Sequence, residues 1–383
     1  MTEYKPGLEG IPATRSSISF LDGKKGILAY RGYRIEELAE QSTFEETAYL
    51  LLRGELPSAA QLERFDQELR QTRRVKYNVR EIMKFMPLTG HPMEMLIVTV
   101  AMLGMFYPEP YLSGGSEEDQ AYMDAMSLRI IARMATLVSM WEQMRRGNDP
   151  FLPRDDLSYA GNFLYMMNGR DPDPLFTRIM DACLVLHAEH EINASTFSAM
   201  VTASTLANPN QVISAAIGTL AGPLHGAANQ RVVEMLKDIG SPDKVEDWLD
   251  KRLVAKQVIW GMGHREYKVK DPRAIILEKF MDQVADQKSG EIGELFATAR
   301  ALESACADRL GPKGVYPNVD FYSGILYSQM GIPLDQFTPI FAVSRAAGWM
   351  AHWQEQIQAN RIFRPTQVYV GAAQRAYVPV DQR

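Results

Sequence analysis

The sequence predicts a mainly α protein: an all-helical body of two domains, the smaller inserted into the larger, with a short N-terminal β-hairpin. Apolar residues recur at helical spacing through most of the chain after Phe44. No alternation of helices with buried parallel strands interrupts them. At 383 residues the chain exceeds what one small core organises, so two domains are expected.

The hairpin comes first. Residues 16–21 and 26–30 are β-prone and flank the turn dipeptide Asp22-Gly23. Helical spacing then covers 44–52 and 58–74, separated by the break Gly54-Glu55-Leu56-Pro57. The apolar run 95–107 is too short to span a bilayer and reads as a buried helix. Further helices are predicted over 118–147, 173–191, 195–207, 211–221, 227–239, 244–258, 272–286, 291–310, 321–330 and 338–359. No low-complexity linker marks a boundary, so a second domain must be an excursion from the first. Gly222-Pro223 and Pro317-Asn318 are the candidate hinges, and the small domain is expected over 223–322, with 1–222 and 323–383 in the large one.

Composition excludes several classes. Hydrophobic residues make up 46% and charged residues 23%, and the net charge is −6, which argues against general nucleic-acid or membrane affinity. Two cysteines, Cys183 and Cys306, allow neither a disulfide framework nor a cysteine-based zinc site, and they fit a reduced cytoplasm. The N-terminus carries no signal- or transit-peptide pattern.

Against this acidic background, segment 251–273 holds seven Lys/Arg and only two acids. Its core, Gly261-Met-Gly-His264-Arg265-Glu-Tyr-Lys268-Val-Lys270-Asp271-Pro272-Arg273, sets one histidine among four cations. Asp271 is placed to cap a helix and Pro272 to open it, so Arg273 arrives at a helix N-terminus, where anions are favoured. The segment reads as a site for a small, highly anionic substrate.

Other polar residues leave alternatives open. His225, in Gly222-Pro-Leu-His-Gly226, is either a neutral donor to a developing oxyanion or a turn histidine bonded to a carbonyl. His187 and His190 share a helix face at i, i+3: a metal pair, or a helix-end pair satisfied by backbone, Asn193 and Ser195. No compact third ligand is visible, so no metal is assigned. His91, before Pro92, and His352, in an apolar run, read as structural. Asp320 lies between Val319 and Phe321, where desolvation would strengthen it as a base; the competing use is a helix N-cap.

Taken as a set, Gly-Pro-Leu-His225-Gly, Gly-Met-Gly-His264-Arg with Asp-Pro-Arg273, and Pro-Asn-Val-Asp320 resemble the citrate synthase family. The likeness runs from Gly7-Leu-Glu-Gly10 through Tyr30-Arg-Gly-Tyr33 and Glu55-Leu-Pro57 to Arg361-Ile-Phe-Arg364-Pro365. The resemblance implies an all-helical homodimer that condenses acetyl-CoA with oxaloacetate and hydrolyses citryl-CoA to citrate and CoA. It makes Asp320 the base, His225 the donor to the enolate, and His264 the group that polarises the ketone. His190, Arg273 and Arg345 are implied in oxaloacetate binding, with Arg364 reaching across from the neighbouring subunit. Lys268 is implied in contact with CoA phosphate. Gly261 and Gly263 are expected at the CoA site through their backbone groups, with Arg265, Lys256 and Lys270 as neighbours on local charge alone. No cofactor is expected, because the CoA thioester is a substrate. The early start of the likeness suggests the type without NADH inhibition.

Three competing functions follow. A 2-methylcitrate synthase would share these residues and take propionyl-CoA; one methylene is worth only about 1–3 kcal/mol in an apolar pocket. A zinc hydrolase would use His187, His190 and a carboxylate. A non-catalytic helical scaffold would need none of the three catalytic residues.

Overall fold

The computed structural model describes residues 4–107, 117–226, 228–287 and 291–383. Ala227, expected to open a helix, and residues 1–3 lie outside them. The predicted hairpin is present as β1 (Ser19–Asp22) antiparallel to β2 (Ile27–Tyr30), with Phe20 opposite Ala29. A two-residue strand, β3 (Tyr33–Arg34), extends it on the β2 side.

The helices follow in order: α1 (Ile35–Gln41), α2 (Phe44–Arg53), α3 (Ala59–Thr72), α4 (Tyr77–Met83), α5 (Pro92–Phe106), α6 (Glu117–Arg145), α7 (Tyr159–Asn168), α8 (Pro174–His187), α9 (Ala194–Ala203), α10 (Pro209–Leu220), α11 (Ala228–Ile239), α12 (Val245–Val254), α13 (Pro272–Gln287), α14 (Glu291–Leu310), α15 (Val319–Gln329) and α16 (Phe337–Gln358). Local chemistry sets many of the ends. Ser58 and Gln61 close a capping box at α3, and His91 Nδ1 accepts the Met93 N–H at α5, just ahead of Pro92. Asp173, Asn193 and Asn208 cap α8, α9 and α10.

Helices α1, α4 and α7 escape the periodicity. The first two have seven residues each, too short to show a stripe. Helix α7 is buried along nearly its whole length, so its sequence lacks a polar face.

Helix α16 forms the axis of the larger packing group and touches α2, α6, α8, α9 and α10. Its Trp349 and Trp353 are fully buried. Burying an apolar side chain of moderate size stabilises by about 1.5–3 kcal/mol, so this helix anchors everything attached to it. A second group, α11 to α14, gathers on α15 and on one another. The boundary expected at 322/323 falls inside α15. Among the described residues no helix is long and apolar enough to cross a membrane.

Candidate active site

A backbone strap joins the basic segment to the start of α15. Met262 pairs with Pro317 in an antiparallel bridge. Gly263 N–H donates to Tyr316 O (2.8 Å), Asn318 N–H to Gly261 O (2.9 Å) and Asp271 N–H to Pro317 O (3.2 Å). Asn318 adds a side-chain bond to Gly263 O (2.9 Å) and caps α15 by accepting the Asp320 N–H (2.9 Å). The cap is therefore Asn318, which leaves the Asp320 carboxylate out of that role. Val319 and Phe321 are buried on either side, as expected. Burial pushes Asp320 up to about 6, even though Arg273 and Arg345 favour its charge.

The strap also explains the two glycines. Gly261 has φ +77°, and a Cβ there would sit 2.7 Å from Val232 Cγ2 and 3.0 Å from the Phe321 backbone. It is glycine because α11 and α15 press on it. Its carbonyl, with both backbone groups of Gly263, is taken up by residues 316–318. Sequence reasoning gave these glycines to close approach of CoA; the geometry gives them an internal reason.

In the two histidines of the glycine-flanked turns, burial favours the neutral ring. His225 Nε2 lies 2.9 Å from Ser195 Oγ and accepts the Ser195 backbone N–H at 3.3 Å. A backbone N–H can only donate, so the ring proton stands on Nδ1. Burial, then Arg345, lowers the ring to about 4. His264 Nδ1 accepts two backbone N–H groups, from Glu266 (3.0 Å) and Tyr267 (3.3 Å), so its proton stands on Nε2. Burial, then Arg273, lowers this ring to about 4 as well.

His190 lies against His264, ring centres 5.2 Å apart, and its Nε2 is 3.2 Å from the Tyr267 hydroxyl. Burial and the cations Arg273 and Arg345 hold it well below the ordinary histidine range. His187 turns away: its Nδ1 meets Cys183 O at 2.7 Å. Ser195 does not satisfy this pair, and Asn193 reaches only the backbone of His190, Nδ2 to O at 3.4 Å. Asn193 caps α9, and Ser195 holds His225. Among the described residues, no three His, Cys, Asp or Glu side chains gather as metal ligands would.

Two arginines form the floor. Arg273 is 2% exposed and grips Asp271 twice, Nε to Oδ1 (3.0 Å) and Nη2 to Oδ2 (2.7 Å). Asp271 also accepts the Arg273 N–H (2.9 Å), which is the predicted cap. Burial opposes the charge of Arg273, and Asp271 more than restores it. Arg345, 1% exposed, donates from Nε to His187 O (2.6 Å), and burial lowers it to about 10. The carboxylate that most offsets this is Glu189, fully buried, which accepts from Ser19 Oγ (3.0 Å) and meets His352 Nε2 (3.1 Å). His352 is thus structural, as read from the sequence. Glu189 escaped notice because a glutamate between two histidines looks solvated.

The remaining cations are a different kind of group. Lys268 and Arg265 are exposed, with Lys268 Nζ donating to Arg265 O (3.0 Å) and Arg265 4.0 Å from Glu9. Lys256 is exposed too. Lys270 is bonded by Glu278 (2.7 Å) and Glu303, so it braces α13 and α14 and is not available as a CoA neighbour. The basic segment is held from the other side by the hairpin. Lys268 N–H donates to Gly23 O (2.9 Å), and a Cβ on Gly23 would sit 2.1 Å from Glu266 O. Arg364 is not brought to the site within the chain; it is exposed in the C-terminal segment and donates to Pro365 O (2.9 Å).

The chain is similar to known proteins along nearly its whole length. The family model described as citrate synthase, C-terminal domain, matches residues 7–366. The chain is 60% identical over 380 residues to citrate synthase of Acidithiobacillus ferridurans, covering 99% of this chain and 98% of that protein. It is 50% identical to the Synechocystis citrate synthase, covering 99% and 94%. Among solved structures it resembles citrate synthase of Thermoplasma acidophilum in ternary complex with carboxymethyl coenzyme A and oxaloacetate, with TM-score 0.92, 32% identity and full coverage of both chains. The Pyrobaculum aerophilum citrate synthase gives TM-score 0.90 at 40% identity, covering 99% and 95%. On its sequence, its helical architecture and these matches, the chain belongs to the citrate synthase family.

Proposed function

We propose that the site condenses acetyl-CoA with oxaloacetate and hydrolyses the product to citrate and CoA, with Asp320 as base, His225 as enolate donor and His264 as ketone donor. The enzyme class, a transferase forming a carbon–carbon bond, follows from the family. One observation supports the division of roles best: a carboxylate raised to about 6 stands with two neutral imidazoles around the same pair of buried arginines.

Each role answers a physical need. A thioester methyl group is a very weak acid, so its proton leaves only if charge on the thioester oxygen is stabilised in the same step. Asp320 takes the proton; its partial desolvation makes it a stronger base than a solvated carboxylate. His225 donates from Nδ1 to the developing enolate oxygen. The enol carbon attacks the ketone of oxaloacetate while His264 Nε2–H donates to, then protonates, the new alkoxide. Arg273, Arg345 and His190 bind the two oxaloacetate carboxylates, arginine being suited to them by its planar fork. Lys268 meets CoA phosphate, and Arg265, Gly261 and Gly263 border it. Acetyl-CoA is preferred over propionyl-CoA: the relatives compared are named citrate synthase, and none supports the 2-methylcitrate reading.

On this reading α11 to α15 form the small domain, closing on the rest. The protein works without a cofactor, in the cytoplasm, as a homodimer in which Arg364 completes the partner's site. The exposed apolar side chains beside it, Ile362, Tyr369, Val370 and Tyr377, support a C-terminal segment that lies on a second subunit.

The test is release of free thiol from acetyl-CoA plus oxaloacetate. Asp320→Ala is expected to lower kcat by about 10²–10⁴-fold, the range for a general base. Wild-type kcat is expected to fall as pH drops through about 6, where Asp320 takes up its proton. Absence of thiol release by the wild type, or an undiminished rate in the variant, overturns the assignment.

A further inference from the structure

We infer that Tyr267 is the positioning residue of the oxaloacetate half of the site, holding His190 with its hydroxyl, His264 with its backbone N–H and ring, and Arg273 beneath its ring face. The inference rests on the proposed roles of those three groups.

The geometry is specific. Tyr267 is 1% exposed, although it stands in a basic segment whose neighbours Glu266 and Lys268 are exposed. Its hydroxyl has a partner inside the site, His190 Nε2 at 3.2 Å. Its N–H is one of the two donors that fix the His264 tautomer (3.3 Å). Its ring lies 4.8 Å from the His264 ring at 42°, and 5.6 Å from the His190 ring. The Arg273 guanidinium sits 5.9 Å from the same ring centre. One side chain therefore borders every oxaloacetate-side group except Arg345.

These contacts do separate work. An imidazole turns about its χ2 bond unless a partner fixes it, and a ring whose nitrogen must meet a carboxylate gains from being aimed beforehand. The hydroxyl does this for His190. Burial keeps that hydroxyl protonated across the working pH range, since it moves the phenol further up. The ring does it for His264, walling the imidazole so that Nε2 keeps its direction while Nδ1 is tied to the backbone. Removing the hydroxyl should therefore disturb oxaloacetate binding alone, whereas removing the ring should disturb the reaction as well.

Two variants read these effects apart. Tyr267→Phe keeps the ring; one neutral hydrogen bond is worth about 0.5–1.5 kcal/mol, so KM for oxaloacetate should rise about 2- to 12-fold, with kcat and KM for acetyl-CoA within twofold. Tyr267→Leu should raise KM for oxaloacetate similarly and also lower kcat at saturating oxaloacetate by tenfold or more. A merely structural role would lower the melting temperature and scale all parameters together in both variants. Measured beside them, His190→Ala separates the inference from the reading beneath it. If His190→Ala raises KM for oxaloacetate and Tyr267→Phe leaves it unchanged, Tyr267 has no such role. If His190→Ala itself leaves that KM unchanged, the assignment of His190 fails instead. Equal losses of kcat in the two tyrosine variants would also overturn the inference.

Discussion

The two halves of the site are built on opposite principles. Of the residues proposed for oxaloacetate, Arg273, Arg345 and His190 are buried, and each polar group is gripped by protein: Asp271 on Arg273, His187 O on Arg345, Tyr267 on His190. Of those proposed for CoA, Lys268 and Arg265 are exposed and hold little beyond their own loop. The first half is preorganised in low dielectric, where a charge is costly to place and strong once placed. The second works through solvent, where a cation attracts a phosphate over a distance but binds it loosely. A compact dianion with fixed geometry suits the first, and a long, flexible, multiply charged carrier suits the second.

The contrast is sharpest in substitutions. Arg345→Leu should act most strongly. Hydrogen bonds to charged groups contribute about 1.5–3 kcal/mol, so KM for oxaloacetate should rise roughly 10- to 150-fold with KM for acetyl-CoA little changed. A large rise in the acetyl-CoA constant would erase the distinction.

Arg364 tests whether the rule extends beyond one chain, since it is exposed here yet assigned to the buried half of a neighbour's site. Arg364→Ala should raise KM for oxaloacetate about tenfold, at the lower end of the same range. Mixed dimers of Arg364→Ala with Asp320→Ala subunits should recover one active site of two. Properly formed mixed dimers without activity would place Arg364 elsewhere.

Lys268→Ala should act least. An exposed ion pair contributes about 0.2–1 kcal/mol, so KM for acetyl-CoA should rise roughly 1.5- to 5-fold, and the difference from wild type should shrink as salt is added. An effect that salt leaves untouched would mean that Lys268 acts in a desolvated setting.

What the sequence revealed follows the same line. Helices with an amphipathic stripe and a polar cap were legible because both signals are local: Asp271 before Pro272 and His91 before Pro92 were read correctly. The motif order around His225, His264 and Asp320 pointed to the family for the same reason. Pairings between distant segments were not legible. Lys270 looked like one more cation for a phosphate, and only the fold brings Glu278 and Glu303 to it. Tyr267 and Glu189 read as ordinary residues of a basic loop and a polar turn, because burial is a property of what packs over them. Gly261 announced that something comes close, but not that the close neighbours are Val232 and Phe321.

The contact of Gly23 with the basic segment also bears on how the chain acquires its site during synthesis. The hairpin turn is made early, whereas the peptide that docks on it, with Lys268 bonded to the Gly23 carbonyl, emerges far later. Until then the turn has no partner, and everything between must fold without it. The two segments meet across most of the chain's length, a closure that is intrinsically slow and that leaves partly folded intermediates exposed. The basic segment is therefore expected to take its final position late, after much of the helical framework that surrounds it has been made.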